Sequence, residues 1–268
     1  MKTRLLTAAV GIPFLVFVLI VRGWFAELLT VVLTCIALWE CYRALGVAGY
    51  DVCTWGGYLA AIVMWPLSRF MGVLDPLLLV VGAMGVSMTG VILRESPTFP
   101  NAAASVYPLF TCLLPMSMFM MMMNATYGRV PGIALITMAF AISFGSDGAA
   151  YFGGRRFGRN KLCPTVSPKK TVEGAAFGIL GGVVCAVLCR YAFIFLFGMA
   201  MPRLAGTVSL GLLGSFAGQV GDLSASLLKR HSGIKDYGKL FPGHGGVMDR
   251  FDSVIFTLIV MYCYTLVL

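Results

Sequence analysis

Charge is what this sequence has least of. Asp, Glu, Lys and Arg make up only 12% of its 268 residues, while 59% are hydrophobic and the mean hydropathy is +0.90. A soluble domain carries about twice that charged fraction. So few charges cannot cover a water-facing surface, which excludes a soluble globular domain and makes lipid the outer solvent. Histidine is nearly absent: His231 and His244 are the only two, and no Ser-His or Cys-His constellation is evident. The eight cysteines lack metal-ligand or disulfide spacing. Only Cys185 and Cys189 fall at helical spacing, inside an apolar run where each reads as a small hydrophobe. Nucleic-acid motifs, long linkers, low-complexity tails and internal repeats are also missing. The net charge of +9 therefore reports membrane orientation and contact with anionic lipid rather than a nucleic-acid partner. The methionines Met116, Met118 and Met120 to Met123 have no Cys or His in their run, and packing explains them better than a soft-metal site.

What the chain does have is long apolar runs. A membrane helix needs roughly 20 mostly apolar residues. The runs predict an all-α polytopic membrane protein of about nine transmembrane helices, over 5–21, 24–42, 55–71, 76–93, 105–123, 131–151, 169–197, 207–229 and 251–268. The third is the weakest, because Pro66 interrupts it. The first resembles a signal peptide, but no small-x-small site follows it and the sequence leads straight into another apolar run, so it reads as a membrane helix. The spans group as N-terminal helices in 1–72, middle helices in 73–127 and a catalytic set in 128–268. With the N-terminus inside, Arg22, Arg69, Arg129, Arg190 and Arg203 lie outside, and the other fifteen of the twenty Lys and Arg lie inside. That bias places the N-terminus and two basic loops, 152–168 and 230–250, in the cytoplasm of a multi-pass protein of the cell membrane.

The last four spans carry the chemistry. An Asp at the centre of a membrane helix costs roughly 2.5–3.5 kcal/mol on insertion scales, so such residues persist where a counter-charge, water or a metal offsets the cost. At 1.5 Å per residue, Asp147 lies about 24 Å along the sixth span and Asp222 about 23 Å along the eighth. Lys169, Lys170 and Glu173 open the seventh span, and Asp249 and Asp252 open the ninth. All these charges fall at one level near the inner boundary. Gly218, Asp222, Ser226 and Lys229 share one helical face, with Gly214 extending it outward. Gly174, Gly178 and Gly182 repeat every four residues, a stripe that lets helices approach closely in lipid. Ser167 followed by Pro168 predicts a helix start, whose free N–H groups beside two lysines favour an anion such as phosphate. Asp249 and Asp252, three apart, either complement a helix dipole or face one ion. The glycine-rich stretch 242–246 before them can bring backbone close to a ligand.

Two runs are specific. The stretch from Ser226 through Lys229, Arg230, Lys235, Asp236, Pro242, His244, Gly245, Gly246, Asp249 and Arg250 to Asp252 closely resembles the signature of the phosphatidate cytidylyltransferases, or CDP-diacylglycerol synthases. The stretch from Asp147 through Arg155, Arg156 and Gly158 to Ser167, Lys169, Lys170, Thr171 and Gly174 is similar to that family too. The resemblance is strong from Asp147 onward and is one of hydropathy before it. Gly148 stands where members often have Thr, and Ala225 where an acidic residue precedes the Ser. The resemblance implies that CTP and phosphatidate give CDP-diacylglycerol and pyrophosphate with Mg²⁺. Asp222 and Asp249 would be metal ligands with Asp252 beside them, and Asp222, Asp249 and Lys170 would be the catalytic set. Asp147, Ser167, Lys169, Ser226, Lys229, Arg230, Lys235, His244 and Arg250 are the candidates to bind substrate. Phosphatidate would enter from the inner leaflet and CTP from the cytosol, among membrane lipids, and a homodimer is compatible with the family. A lipid phosphate is already ionised near neutral pH, so attack at phosphorus needs positioning and charge neutralisation rather than a strong base. A CTP-using lipid kinase would share these features. A transporter would place its charges near the midplane rather than on one side.

Overall fold

A computed structural model describes residues 11, 13–14, 17–21, 23–72, 75–241, 243 and 245–267. The expected first span, 5–21, lies largely outside these residues; those described within it are helical. Lys2, Arg4, Arg22, Pro242 and His244 also lie outside them.

The described chain is helical, as its apolar runs require. Helix α1 is Gly23–Val47, α2 Trp55–Pro66, α3 Pro76–Ile92 and α4 Phe99–Asn124. Then follow α5 Gly132–Phe157, α6 Val172–Phe197, α7 Leu204–His231 and α8 Met248–Thr265. Helices α1, α4, α5, α6 and α7 are long and apolar enough to cross a membrane. On α6 the apolar side chains Leu180, Val184 and Leu188 recur every four residues at 60, 55 and 62% exposure. A contiguous bare apolar face of this kind suits lipid and not water. Pro66 does not end the third run: α2 passes into a π turn, Leu67–Met71, which accommodates the missing N–H. Pro108 has the same effect within α4, where a π turn spans Leu109–Leu113.

The chain forms two compact units, Met1–Met121 with Leu228–Phe251, and Met122–Leu227 with Asp252–Leu268. In the first, α1 carries two buried glutamates. Glu27 accepts from Trp65 Nε1 at 3.1 Å and lies 3.6 Å from Arg69, so donors offset the cost of its burial. Glu40 lies thirteen residues on, among the residues of the candidate site. Met116, Met118 and Met120 are buried, as packing residues should be, and so are Met122 and Met123 of the second unit.

In the second unit, small residues set the spacing. A Cβ on Gly182 would stand 1.8 Å from Ser215 Oγ, and one on Gly178 2.7 Å from Gln219 Nε2. Only glycine lets α6 lie so close to α7. Thr257 of α8 donates to Gly214 O and accepts from Ser143 Oγ, both at 3.0 Å, tying α5, α7 and α8 together.

One expected helix start is corrected. Ser167–Thr171 is not the first turn of a helix but a strand, β4, paired antiparallel with β3, Lys161–Cys163. (The short pair β1, Thr126–Tyr127, and β2, Val130–Pro131, precedes α5.) The cap of α6 is Thr171, whose hydroxyl accepts from Gly174 N at 3.1 Å. The fixed φ of Pro168 suits an extended edge as well as a first helical position, and the hairpin partner decides between them.

Candidate active site

Charged side chains gather in two clusters, one in each unit. In the second unit the hairpin β3–β4 carries Lys170 to helix α7, where its Nζ lies 2.5 Å from Asp222 Oδ2. Ser226, one turn further along α7, donates to Asp222 Oδ1 at 3.4 Å. The hairpin is anchored by Glu173, whose carboxylate accepts from the backbone N–H of Arg159 and Asn160 and from the Asn160 amide at 2.9–3.2 Å. Asp147 accepts from Ser253 Oγ at 3.3 Å, and Asp252 accepts from Ser253 N at 2.9 Å. Lys169, Arg155 and Arg156 are exposed. A partly open carboxylate thus pairs with Lys170, with α7 and β4 fixing its place.

In the first unit the centre is Asp249, at the start of α8. Its side chain is 3% exposed and takes three donors. Lys229 Nζ lies 2.9 Å from Oδ1, while Tyr237 N and Gly246 N donate to Oδ2 at 2.7 and 3.0 Å. Lys229 also lies 5.4 Å from the centroid of the Tyr237 ring, a cation–π distance. Burial raises the Tyr237 phenol above its ordinary range, so it stays neutral at physiological pH. Arg43 donates to the carbonyl of Tyr237. Arg230, Lys235 and Arg250 are exposed nearby in sequence.

Two glycines of this loop admit protein carboxylates. Gly245 has φ +89°, and a Cβ there would stand 2.6 Å from Asp249 Oδ2; a Cβ on Gly246 would stand 2.0 Å from Glu40 Oε1. Glu40, from α1, accepts from Val247 N at 3.0 Å and Met248 N at 2.8 Å. Sequence reasoning missed Glu40. The available signal was a carboxylate flanked by apolar residues in a membrane run, the same one that singled out Asp147 and Asp222.

The expected residues therefore divide. Lys170, Asp222 and Ser226 meet in one cluster, Lys229 and Asp249 in the other, and Asp147 and Asp252 share Ser253. Ser167 belongs to the hairpin edge and does not cap a helix. Among the described residues no three His, Cys, Asp or Glu side chains form a group that could hold a metal ion. The donor chemistry still fits Mg²⁺, which prefers hard oxygen and is usually held by one or two carboxylates plus substrate phosphates. The Asp222 side chain is 28% exposed, and among the described residues its Oδ1 takes only a long hydroxyl contact.

Apolar helices that carry paired carboxylates and cations define a helical membrane protein with a polar site. The chain belongs to the cytidylyltransferase family, whose family model matches residues 2–268. It is 42% identical over 132 residues to a phosphatidate cytidylyltransferase of Staphylococcus aureus, covering 48% of each chain. The corresponding Bacillus subtilis protein is 40% identical over 131 residues, covering 49% of this chain and 47% of the relative. Phosphatidate cytidylyltransferase 5, chloroplastic, of Arabidopsis thaliana is 32% identical over 203 residues, or 68% of this chain and 49% of that protein. The chain spans about half the length of the curated relatives it matches.

Proposed function

We propose that this protein is a phosphatidate cytidylyltransferase, making CDP-diacylglycerol from CTP and phosphatidate for phospholipid synthesis. The observation that carries the reading is the family match over residues 2–268, which takes in every charged residue of both clusters. In the reaction a phosphate oxygen of phosphatidate attacks the α-phosphorus of CTP. The new P–O bond replaces the bond to the bridging oxygen, and pyrophosphate leaves with that electron pair. The nucleophile needs no strong base, which suits a chain with two histidines. Lys170 and Lys229, together with Arg230, Lys235 and Arg250, would hold phosphates. Incoming phosphates compete with Asp222 and Asp249 for the two paired lysines, whose contacts are 2.5 and 2.9 Å. Lys169, Ser167, Ser226, Asp147 and His244 are the further proposed contacts to substrate. Of Asp222, Asp249 and Asp252, one or two carboxylates together with the substrate phosphates would hold Mg²⁺, which when bound neutralises charge building up on the transferring phosphates.

The same reading proposes nine spans, an N-terminus and active site on the cytoplasmic side, entry of phosphatidate from the inner leaflet, and a catalytic region within 128–268. A homodimer is the proposed assembly. The test is purified protein with CTP, phosphatidate and Mg²⁺. Release of pyrophosphate together with a CDP-lipid supports the reading, and chelation of the metal should stop it. Release of CDP instead would indicate a lipid kinase, and release of neither would leave a transporter.

A further inference from the structure

We infer that Glu40, a residue of helix α1, is a positioning residue for the transfer: it clamps the start of helix α8 and so fixes Asp249. The inference rests on the cytidylyl-transfer reading above for its kinetic consequence, though not for its geometry.

Glu40 is 1% exposed and spends both carboxylate oxygens on one short stretch of backbone. Oε1 accepts from Val247 N at 3.0 Å and Oε2 from Met248 N at 2.8 Å. These are donors at the opening of α8, which begins at Met248. Helix N-termini leave such N–H groups without partners and carry partial positive charge, so a carboxylate satisfies both needs. A local residue usually supplies the cap, but here it comes from 207 positions away.

The surroundings are shaped to admit it. Gly238 and Gly246 face Glu40 Oε1 so closely that a Cβ would stand 2.1 and 2.0 Å away. Gly246 also donates to Asp249 Oδ2. The backbone of 246–248 thus alternates between two carboxylates, Glu40 holding Val247 and Met248 while Asp249 holds Gly246. Arg43, one turn beyond Glu40 on α1, donates to Tyr237 O, and Tyr237 N donates to Asp249. Helix α1 therefore grips both loop segments whose backbone N–H groups donate to Asp249. Loss of the grip leaves Asp249 present but misplaced, and misplacement of about 1 Å costs on the order of 100-fold in rate.

Glu40→Gln is the informative change. A glutamine keeps the shape, but one of its two positions becomes an NH₂ aimed at a backbone N–H, so one donor must lose its acceptor. The protein in lipid nanodiscs should show kcat lower by about 10- to 100-fold, KM for CTP within about threefold because truncating uniform binding would move KM instead, and a melting temperature lowered by no more than that of Asp249→Asn, since one buried donor loses its acceptor. Hydrogen exchange should quicken at 245–249 and not in α6. Glu40→Asp restores the charge and should recover part of kcat. Wild-type kcat and wild-type exchange in Glu40→Gln would overturn the inference. So would exchange that quickens evenly along the chain, since that marks general loosening. If the wild-type protein makes no CDP-lipid, the functional reading fails, and the exchange measurement still decides whether Glu40 holds the start of α8.

Discussion

The Nζ of Lys170 lies 2.5 Å from Oδ2 of Asp222, joining the edge of a β-hairpin to a membrane helix. The two side chains are 29 and 28% exposed, so water screens the pair only partly. Lys170→Ala should cut activity at least tenfold, because it removes a proposed phosphate contact. Stability should fall by about 1 kcal/mol, because Asp222 then keeps its charge without a counter-charge. Adding Asp222→Asn should restore the melting temperature but not the activity. A double variant no more stable than Lys170→Ala would show that the pair contributes nothing to the fold.

Asp249 should respond differently from Asp222. Asp222→Asn alters one ion pair and a long hydroxyl contact, so the protein should stay folded while turnover fails. Asp249 accepts from three donors in a nearly closed site. Its Asn variant presents an NH₂ to donors and should lose about 1–3 kcal/mol as well as activity. Thermal unfolding of the two variants side by side checks the contrast; equal melting temperatures would contradict it.

How much of this was legible beforehand follows from the range of each contact. The last four helices and the carboxylates they carry were legible, because apolar length and Asp in a membrane run are local signals. The start of α6 was not: Ser167-Pro168 satisfies the local grammar of a cap, but Thr171 satisfies it too, and the pairing of Lys161 with Thr171 selects the second. The glycine stripe on α6 was legible as close packing, whereas its partners Ser215 and Gln219 were not. Glu40 was least legible, since nothing near it in sequence names Val247 and Met248 as its donors. Contacts across two hundred residues leave no periodicity to read.

Gly246→Ala tests the close approach at the loop. Its Cβ would meet the Glu40 carboxylate at 2.0 Å. The backbone or Glu40 must move, so activity should fall at least tenfold. Gly246 does not have a positive φ, so a loss there reports the contact and not backbone strain; wild-type activity in Gly246→Ala would show that the close approach to Glu40 does not matter.

The proposed topology makes a separate claim. Cysteines introduced at Arg156 and Lys235 should react with a membrane-impermeant maleimide from the cytoplasmic side, and one at Arg203 from the other side. Labelling of Arg156 and Lys235 positions from opposite sides would end any account in which both basic loops serve one reaction.

The central claim is that this chain moves a cytidylyl group onto a lipid phosphate, and the position of a radiolabel decides it. Purified protein is given phosphatidate, Mg²⁺ and CTP labelled at either the α- or the γ-phosphorus. Cytidylyl transfer predicts the α-label in the lipid product and the γ-label in pyrophosphate, with both lost in Asp222→Asn. The γ-label in lipid, or no label in lipid from either nucleotide, would contradict the account.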